Sequence, residues 1–417
     1  MAYELYLAQE AWLARLRPIA RQAAGMLQGW EAARQAGLPV RHAAASLQLL
    51  EDIGTTHRKP EFGLAWTRTS QGTLPVREEV AATTPFGRLL RFAKATDRPG
   101  PKLLVVAPLS GHFATRLRDT VAALLPAHDV HITDWADART VPATAGRFGL
   151  EELVAQIITW LEAMGPGAHL LAVSQPGIAC LAAAALMAEA GHPARPRSLS
   201  LIGCPIDPHI DPTPEETVAR SLPLGWFAAA EIARVPPPFP GAGRLVRPGA
   251  QQLAASVVAD LRTHLRAQAG QLRALAVGDE AAVAAHRRRY DELRAVMDVP
   301  AELYLDTIRR VFQTAELARG RMTWRGRSVR PAAIHDTDLL VVEGETDASC
   351  PPGQASAALA LCRGLPPRLR HHHLEAGARH DMLFEGPAWR EAICPLVGSV
   401  IRAASRAAPL GRAGEHG

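Results

Sequence analysis

Between residues 88 and 202 the chain switches repeatedly between short runs of consecutive apolar residues and longer stretches with helical spacing. No other feature limits the fold as strongly. Runs at 103–107 and 170–173 are apolar at every position, and those at 89–93, 130–133 and 199–202 are mainly apolar, broken by Arg91, by His131 and Thr133, and by Ser200. A strand with one wet face alternates polar and apolar residues, whereas a strand covered on both faces does not. Helical spacing fills 113–125, 150–164 and 178–189 between those runs. Strands alternating with helices predict an α/β fold with a mostly parallel central sheet flanked by helices.

The flanking regions extend this plan. Residues 1–60 read as a helical extension, with Leu13, Leu16, Ile19 and Ala20, then Ala45, Leu47, Leu50 and Ile53, at helical spacing. A β-hairpin within 62–80, turning at Gln71-Gly72, opens the first part of the core, 61–205. Residues 206–330 begin rich in proline and become helical and charged from about 251 to 318. They show no buried-strand run. Strands resume at 339–342 and 371–374, and a helix over 388–403 completes the second part of the core, 331–403. The simplest reading makes 206–330 a cap inserted above the carboxyl ends of the strands, the edge where open α/β sheets bind ligands. Residues 404–417 read as a disordered tail.

Composition excludes several functions. The 417 residues carry a net charge of +5, and nearly all of the positive charge is arginine. The densest basic run, Arg287-Arg288-Arg289, lies in a helical pattern and reads as a solvated face, not a nucleic-acid surface. No apolar run is long enough to span a bilayer, and no basic segment followed by an apolar one marks a signal peptide. The expected location is therefore cytoplasmic. The five cysteines, Cys180, Cys204, Cys350, Cys362 and Cys394, contain no Cys-x-x-Cys pair, which argues against a disulfide framework or a zinc ribbon.

Three residues stand where hydrolytic chemistry needs them. Ser174 follows the apolar run 169–173, and Gln175-Pro176-Gly177 open the next helix. A strand-to-helix turn lifts its residue above the sheet edge, near the positive end of the helix. The five residues Ala172-Val173-Ser174-Gln175-Pro176 depart from Gly-x-Ser-x-Gly, and alanine is small enough for the first place. Asp347 follows the strand at 339–342, and His380 follows the strand at 371–374. The order Ser, Asp, His, each just after a strand, is that of the α/β-hydrolases. A serine hydroxyl needs a base within reach, histidine can carry its proton, and the aspartate orients the imidazole. An oxyanion hole would take one N–H from Gln175. The other would come from the loop Pro108-Leu109-Ser110-Gly111-His112, where Pro108 has no N–H and Leu109 or Ser110 is the candidate.

Other residues compete for a role. His371-His372-His373 could suggest a metal, but successive residues of a strand face opposite ways, so only the outer two share a face and no metal site is expected. Asp381 is a second candidate acid. His112 and Asp134, at strand ends, and Trp226, Phe227 and Phe239, in the cap, are candidate substrate-binding residues. No cysteine links a strand to a helix as a nucleophile would.

Taken together, Val106-Ala107-Pro108-Leu109-Ser110-Gly111-His112, Leu117-Arg118-Asp119-Thr120, Ile132-Thr133-Asp134-Trp135, Ala172-Val173-Ser174-Gln175-Pro176, Val235 to Arg244, Val342-Glu343-Gly344-Glu345 and Trp389-Arg390-Glu391 resemble the intracellular poly(3-hydroxybutyrate) depolymerases of bacteria. The resemblance runs from Leu5 to about Ile401. In that family the nucleophile is usually a cysteine, in Ala-Val-Cys-Gln-Pro, and Ser174 takes its place here. The family's acid falls on Asp347 and its histidine on His380, while Arg379 stands where a glycine is common. The resemblance implies a cytoplasmic polyhydroxyalkanoate storage polyester as substrate, association with the granule surface, and no cofactor. Three alternatives stay open: a small-ester hydrolase, an acyltransferase on the same fold, or a granule-associated protein of weak activity. Oligomeric state is not legible.

Overall fold

The computed structural model describes residues 2–29, 38–51, 54–70, 72–259 and 261–406. Its centre is a nine-stranded sheet. The strands are β1 (Trp66–Thr69), β2 (Gly72–Thr84), β3 (Gly87–Lys94), β4 (Lys102–Val106), β5 (Asp129–Trp135), β6 (His169–Val173), β7 (Ser198–Ile202), β8 (Asp338–Gly344) and β9 (Arg370–Glu375). In space they run β1-β2-β3-β5-β4-β6-β7-β8-β9. β1, β2 and β3 pair antiparallel, as does β3 with β5, and every pair from β5 to β9 is parallel. This is the α/β-hydrolase fold. The strand order reverses around β4, and the chain there turns out over the carboxyl edge.

The apolar runs explain the layering. β5, β6, β7 and β8 are buried at every position. Helix Leu150–Met164 matches its sequence-predicted bounds, and helix Gly177–Glu189 is buried at all but its last residue. Its run of alanines lets a helix lie close to the strands without lost volume. Trp160 and Trp389 are the largest fully buried side chains, and they fill the space between sheet and helices.

Several expectations need correction. The stretch 113–125 starts as a 3-10 turn, Ala114–Leu117, before helix Arg118–Leu124. The last helix, Cys394–Arg406, runs past 403, and residues 407–417 of the expected tail lie outside the described residues, as do Ile53, Gln71 and the side chain of Leu50. On the first helix Leu13 and Ala20 are buried, but Leu16 and Ile19 are exposed. The 206–330 region does hold strands: a three-stranded ribbon of Ala233–Arg234, Leu245–Arg247 and Val299–Pro300, and a hairpin of Thr323–Trp324 with Arg327–Ser328. Segments of two or three residues are too short to show a period.

Helices Gly249–Ala259, Leu261–Val277 and Glu280–Arg294 dominate this region, and helix Leu38–Glu51 packs on Leu261–Val277. A polar network ties these layers together. The Tyr3 hydroxyl donates to Asp298 Oδ2 at 2.7 Å, His57 Nδ1 lies 2.8 Å from Asp137 Oδ2, and the Asp298 N–H donates to Asp137 Oδ1 at 3.0 Å. Beside it the Thr56 N–H donates to the Arg294 carbonyl, and the Thr56 carbonyl accepts from the Val296 N–H. Arg244, buried, donates to the carbonyls of Val141, Pro142 and Gly146 and lies over the Phe86 ring at 4.9 Å. It anchors the Pro-rich segment to the core loop below.

Candidate active site

β6 ends at Val173, and Ser174 takes φ = +61°, a left-handed conformation rare for a residue with a side chain. The sharp turn is held by Ser174 N–H to the Ile202 carbonyl at 2.9 Å and Gly177 N–H to the Ser174 carbonyl at 3.1 Å. The helix that follows starts against the chain leaving β7. A Cβ on Gly177 would lie 2.4 Å from Cys204 Cβ and 2.5 Å from its Sγ, so only glycine lets the helix enter here. The glycine expected at the fifth motif position is thus found one residue later, and buried Ala172 fills the first position.

Three side chains then form one line. His380 Nε2 lies 3.1 Å from Ser174 Oγ, and His380 Nδ1 lies 2.7 Å from Asp347 Oδ2. Asp347 is fully buried, and its other oxygen accepts the N–H groups of Ser349 and Cys350 at 2.8 and 2.9 Å. The carboxylate is therefore locked with one oxygen free for the imidazole. The imidazole packs at 5.6 Å against Phe384 and sits over Gly203, where a Cβ would meet its ring at 3.1 Å. Asp381 does not replace Asp347; its contact is with Arg379, at 3.8 Å.

The Leu109 N–H donates to Gln175 Oε1 at 3.4 Å, which links the loop after β4 to the residue that follows Ser174. The strand before that loop is pinned at Ala107. Its N–H donates to Thr133 Oγ1, and its carbonyl accepts from Trp135 Nε1. Ser110 and His112 line the cavity that holds Ser174 and His380. Burial lowers the pKa of His112 to about 4, so it is neutral near pH 7.

The remaining candidates lie elsewhere. Asp134 is buried between Lys59 and Arg88, at 2.8 and 2.7 Å, and holds β3 to β5. Trp226 is 45% exposed, and Phe227 packs in a cluster with Ala219 and Ile308. Phe239 lies against Tyr3 and Arg139. Among the described residues, none of these aromatics is in the lining of the two cavities that contain Ser174. His371, His372 and His373 meet three different carboxylates, Asp338, Glu343 and Glu375, and so share no centre. Among the described residues one group has metal-ligand character, His57 with Asp137 and Asp298. Its atoms are taken up by the hydrogen bonds of the network above, which makes it a structural clasp. Sequence reading also missed Glu343. From β8 it accepts the N–H groups of Gly353, Ala355 and Ser356 and fixes the loop that carries Asp347. Its place in a buried strand was the available signal.

Two cavities of about 660 Å³ each meet at Ser174. The one on the His380 side includes Arg116, Arg289 and Arg379. The other includes Leu150, Ile178, Val311 and Phe312 with Glu215 and Glu216. Arg289 therefore faces the site and is not part of a merely solvated face. A third cavity, about 690 Å³ and mostly apolar, lies between the first helices and helix Leu261–Val277.

Comparisons with known proteins find one family model over part of the chain and several solved structures of low identity. Residues 203–405 match the family model described as PHB de-polymerase C-terminus. No similar sequence is found among curated proteins. Among solved structures, a hydrolase from Pseudomonas aeruginosa PA01 is 16% identical over 82% of this chain and 98% of its own, with a TM-score of 0.43. A thermophilic esterase from Thermogutta terrifontis is 15% identical over 82% and 98%, at 0.40. A monoacylglycerol lipase from Paleococcus ferrophilus is 15% identical over 73% and 96%, at 0.41. Among the described residues no helix is long and apolar enough to cross a membrane. Across residues 203–405 the chain is similar to the PHB depolymerase family, a match that supports a carboxylic ester hydrolase.

Proposed function

We propose that the protein hydrolyses the ester bonds of a poly(3-hydroxybutyrate)-like storage polyester with Ser174, His380 and Asp347. The observation that carries this reading is the unbroken line Ser174 Oγ, His380, Asp347 at 3.1 and 2.7 Å. His380 Nε2 takes the Ser174 proton as Oγ attacks the ester carbonyl. The carbonyl oxygen becomes an oxyanion, met by the N–H groups of Gln175 and of Leu109 or Ser110. The tetrahedral intermediate collapses, the C–O bond breaks, and the leaving alkoxide takes the proton from His380. Water, deprotonated by the same imidazole, then frees the acid and restores Ser174. Asp347 holds the imidazole with Nδ1–H toward it throughout.

The substrate reading follows from the family, whose members act on polyester, and brings with it a cytoplasmic setting and attachment to the granule. The test is release of soluble hydroxy acid from amorphous polymer by the purified protein. Wild type should clear the polymer, and Ser174→Ala should lose at least about a thousandfold in rate. Polymer turnover unchanged in Ser174→Ala would refute the proposal. Cleavage of p-nitrophenyl butyrate without attack on polymer would instead assign a small-ester hydrolase.

A further inference from the structure

The two cavities that meet at Ser174 differ in charge. Arg116, Arg289 and Arg379 reach one of them from three separate segments, while Glu215 and Glu216 line the other. We propose that the arginine-lined cavity binds a free carboxylate, so that the protein prefers hydroxy-acid oligomers ending in a carboxylate over neutral esters of equal length. This rests on the assignment of Ser174 and His380 given above.

The direction of proton transfer connects this charge to the reaction. The leaving alkoxide takes its proton from His380 Nε2, so the alcohol portion of the ester lies on the His380 side. His380 lines the arginine cavity together with its neighbours Arg379, Asp381 and Phe384. In a polyester of hydroxy acids, the alcohol portion of any cleaved bond is the portion that runs to the carboxylate terminus. The acyl portion runs to the hydroxyl terminus. The chemistry therefore delivers the substrate's negative end to the three guanidinium groups and its neutral end to the cavity with Leu150, Ile178 and Phe312.

The arginines are not used up by their neighbours. Arg379 Nε stands 3.8 Å from Asp381 and Arg116 Nη1 stands 3.9 Å from Glu385, both beyond hydrogen-bond distance. Arg289 adds a third positive charge from helix Glu280–Arg294. A carboxylate suits the planar guanidinium fork and can be shared between two of them. Glu215 and Glu216 across the nucleophile disfavour the reversed orientation. Arg379, which stands where the resembling family commonly has glycine, gains a purpose: it gives this chain a positive charge one residue from the base.

The deciding experiment compares a linear trimer of 3-hydroxybutyrate, as free acid, with the same trimer carrying a neutral terminal carboxamide. Wild type should turn over the acid about tenfold better in kcat/KM, with the difference in KM. Raising ionic strength from about 20 to about 300 mM should erode that preference, because exposed charges are screened. Arg289→Gln with Arg379→Gly should bring the two substrates to near equality, read as the ratio of their kcat/KM values. Equal kcat/KM for the two trimers in wild type, or a preference that survives the double substitution, would overturn the inference. If neither trimer is cleaved, the assignment of Ser174 fails. Calorimetric binding to the Ser174→Ala protein then still decides the carboxylate site, by tighter or equal affinity for the acid.

Discussion

Gln175 Oε1 accepts the Leu109 N–H at 3.4 Å, which joins the residue after the nucleophile to the loop that follows β4. The bond is long, so a developing oxyanion at normal hydrogen-bond distance can displace it. Until then it holds the amide in place. Gln175→Ala should lower kcat about fivefold with little change in KM, the size of one modest hydrogen bond. Gln175→Glu should cost more than a hundredfold, because a carboxylate would stand beside the forming negative charge. Steady-state kinetics on p-nitrophenyl butyrate would measure both; a fully active Gln175→Glu protein would contradict this role.

The reactive group is predicted to be a hydroxyl and not a thiol. Cys180, Cys204, Cys350 and Cys362 are buried. Burial raises every cysteine thiol, Cys362 to about 12 and half-buried Cys394 to about 11. Thiolates are scarce at neutral pH under those conditions. Iodoacetamide should leave esterase activity intact, and a serine-directed phosphonate should abolish it and label Ser174 by mass spectrometry. Inactivation by iodoacetamide would speak against Ser174.

Gly203 takes φ = +56°, and a Cβ there would press on the His380 ring at 3.1 Å. Gly203→Ala should therefore act on the base as well as on the backbone. We expect a loss of roughly 1–2 kcal/mol in stability from the left-handed conformation and a fall in kcat of about tenfold or more from a shifted imidazole. Equilibrium unfolding and kcat measured together separate the two; a stable, fully active variant would show that the ring has room to move.

His169 opens β6 at the opposite end of the strand from Ser174, buried between the hydroxyls of Ser198 and Ser405 at 2.8 and 3.1 Å. Burial, with the His128 charge adding to it, lowers its pKa to about 4. The unfolded chain holds the proton more tightly, with an ordinary pKa near 6.5, so stability is lost as pH falls from about 6.5 toward 4. One such group is worth about 2 kcal/mol by pH 5. Urea midpoints at pH 7 and 5 should fall further for wild type than for His169→Gln. Equal pH dependence in the two proteins would remove His169 from the account.

The sequence reveals most where burial is complete. β4 to β8 were legible because both faces are covered, so apolar residues dominate them, and the ends of β6, β8 and β9 pointed to Ser174, Asp347 and His380. The cap was less legible. Its ribbon of two- and three-residue strands has no period, and Trp226 and Phe239 are apolar for reasons of local packing that look the same in sequence as a binding floor. Arg289 was hidden for a related reason. A run of arginines on a helix reads as solvent-facing until the fold shows which turn overlooks the cleft. Glu343 is a lone carboxylate in an apolar strand, and its partners, the amides of residues 353–356, are unreadable without the loop's path.

The Tyr3, His57, Asp137 and Asp298 network sets how far the chain can be trimmed. Asp137 belongs to the core, Asp298 lies beyond the capping helices, and Tyr3 and His57 come from the first sixty residues. Removing that leading segment would leave two buried carboxylates facing each other with neither hydroxyl nor imidazole to satisfy them. Shortened versions begun at the first sheet strand should aggregate instead of presenting an opened cleft, so the leading helices act as a keystone for the whole assembly.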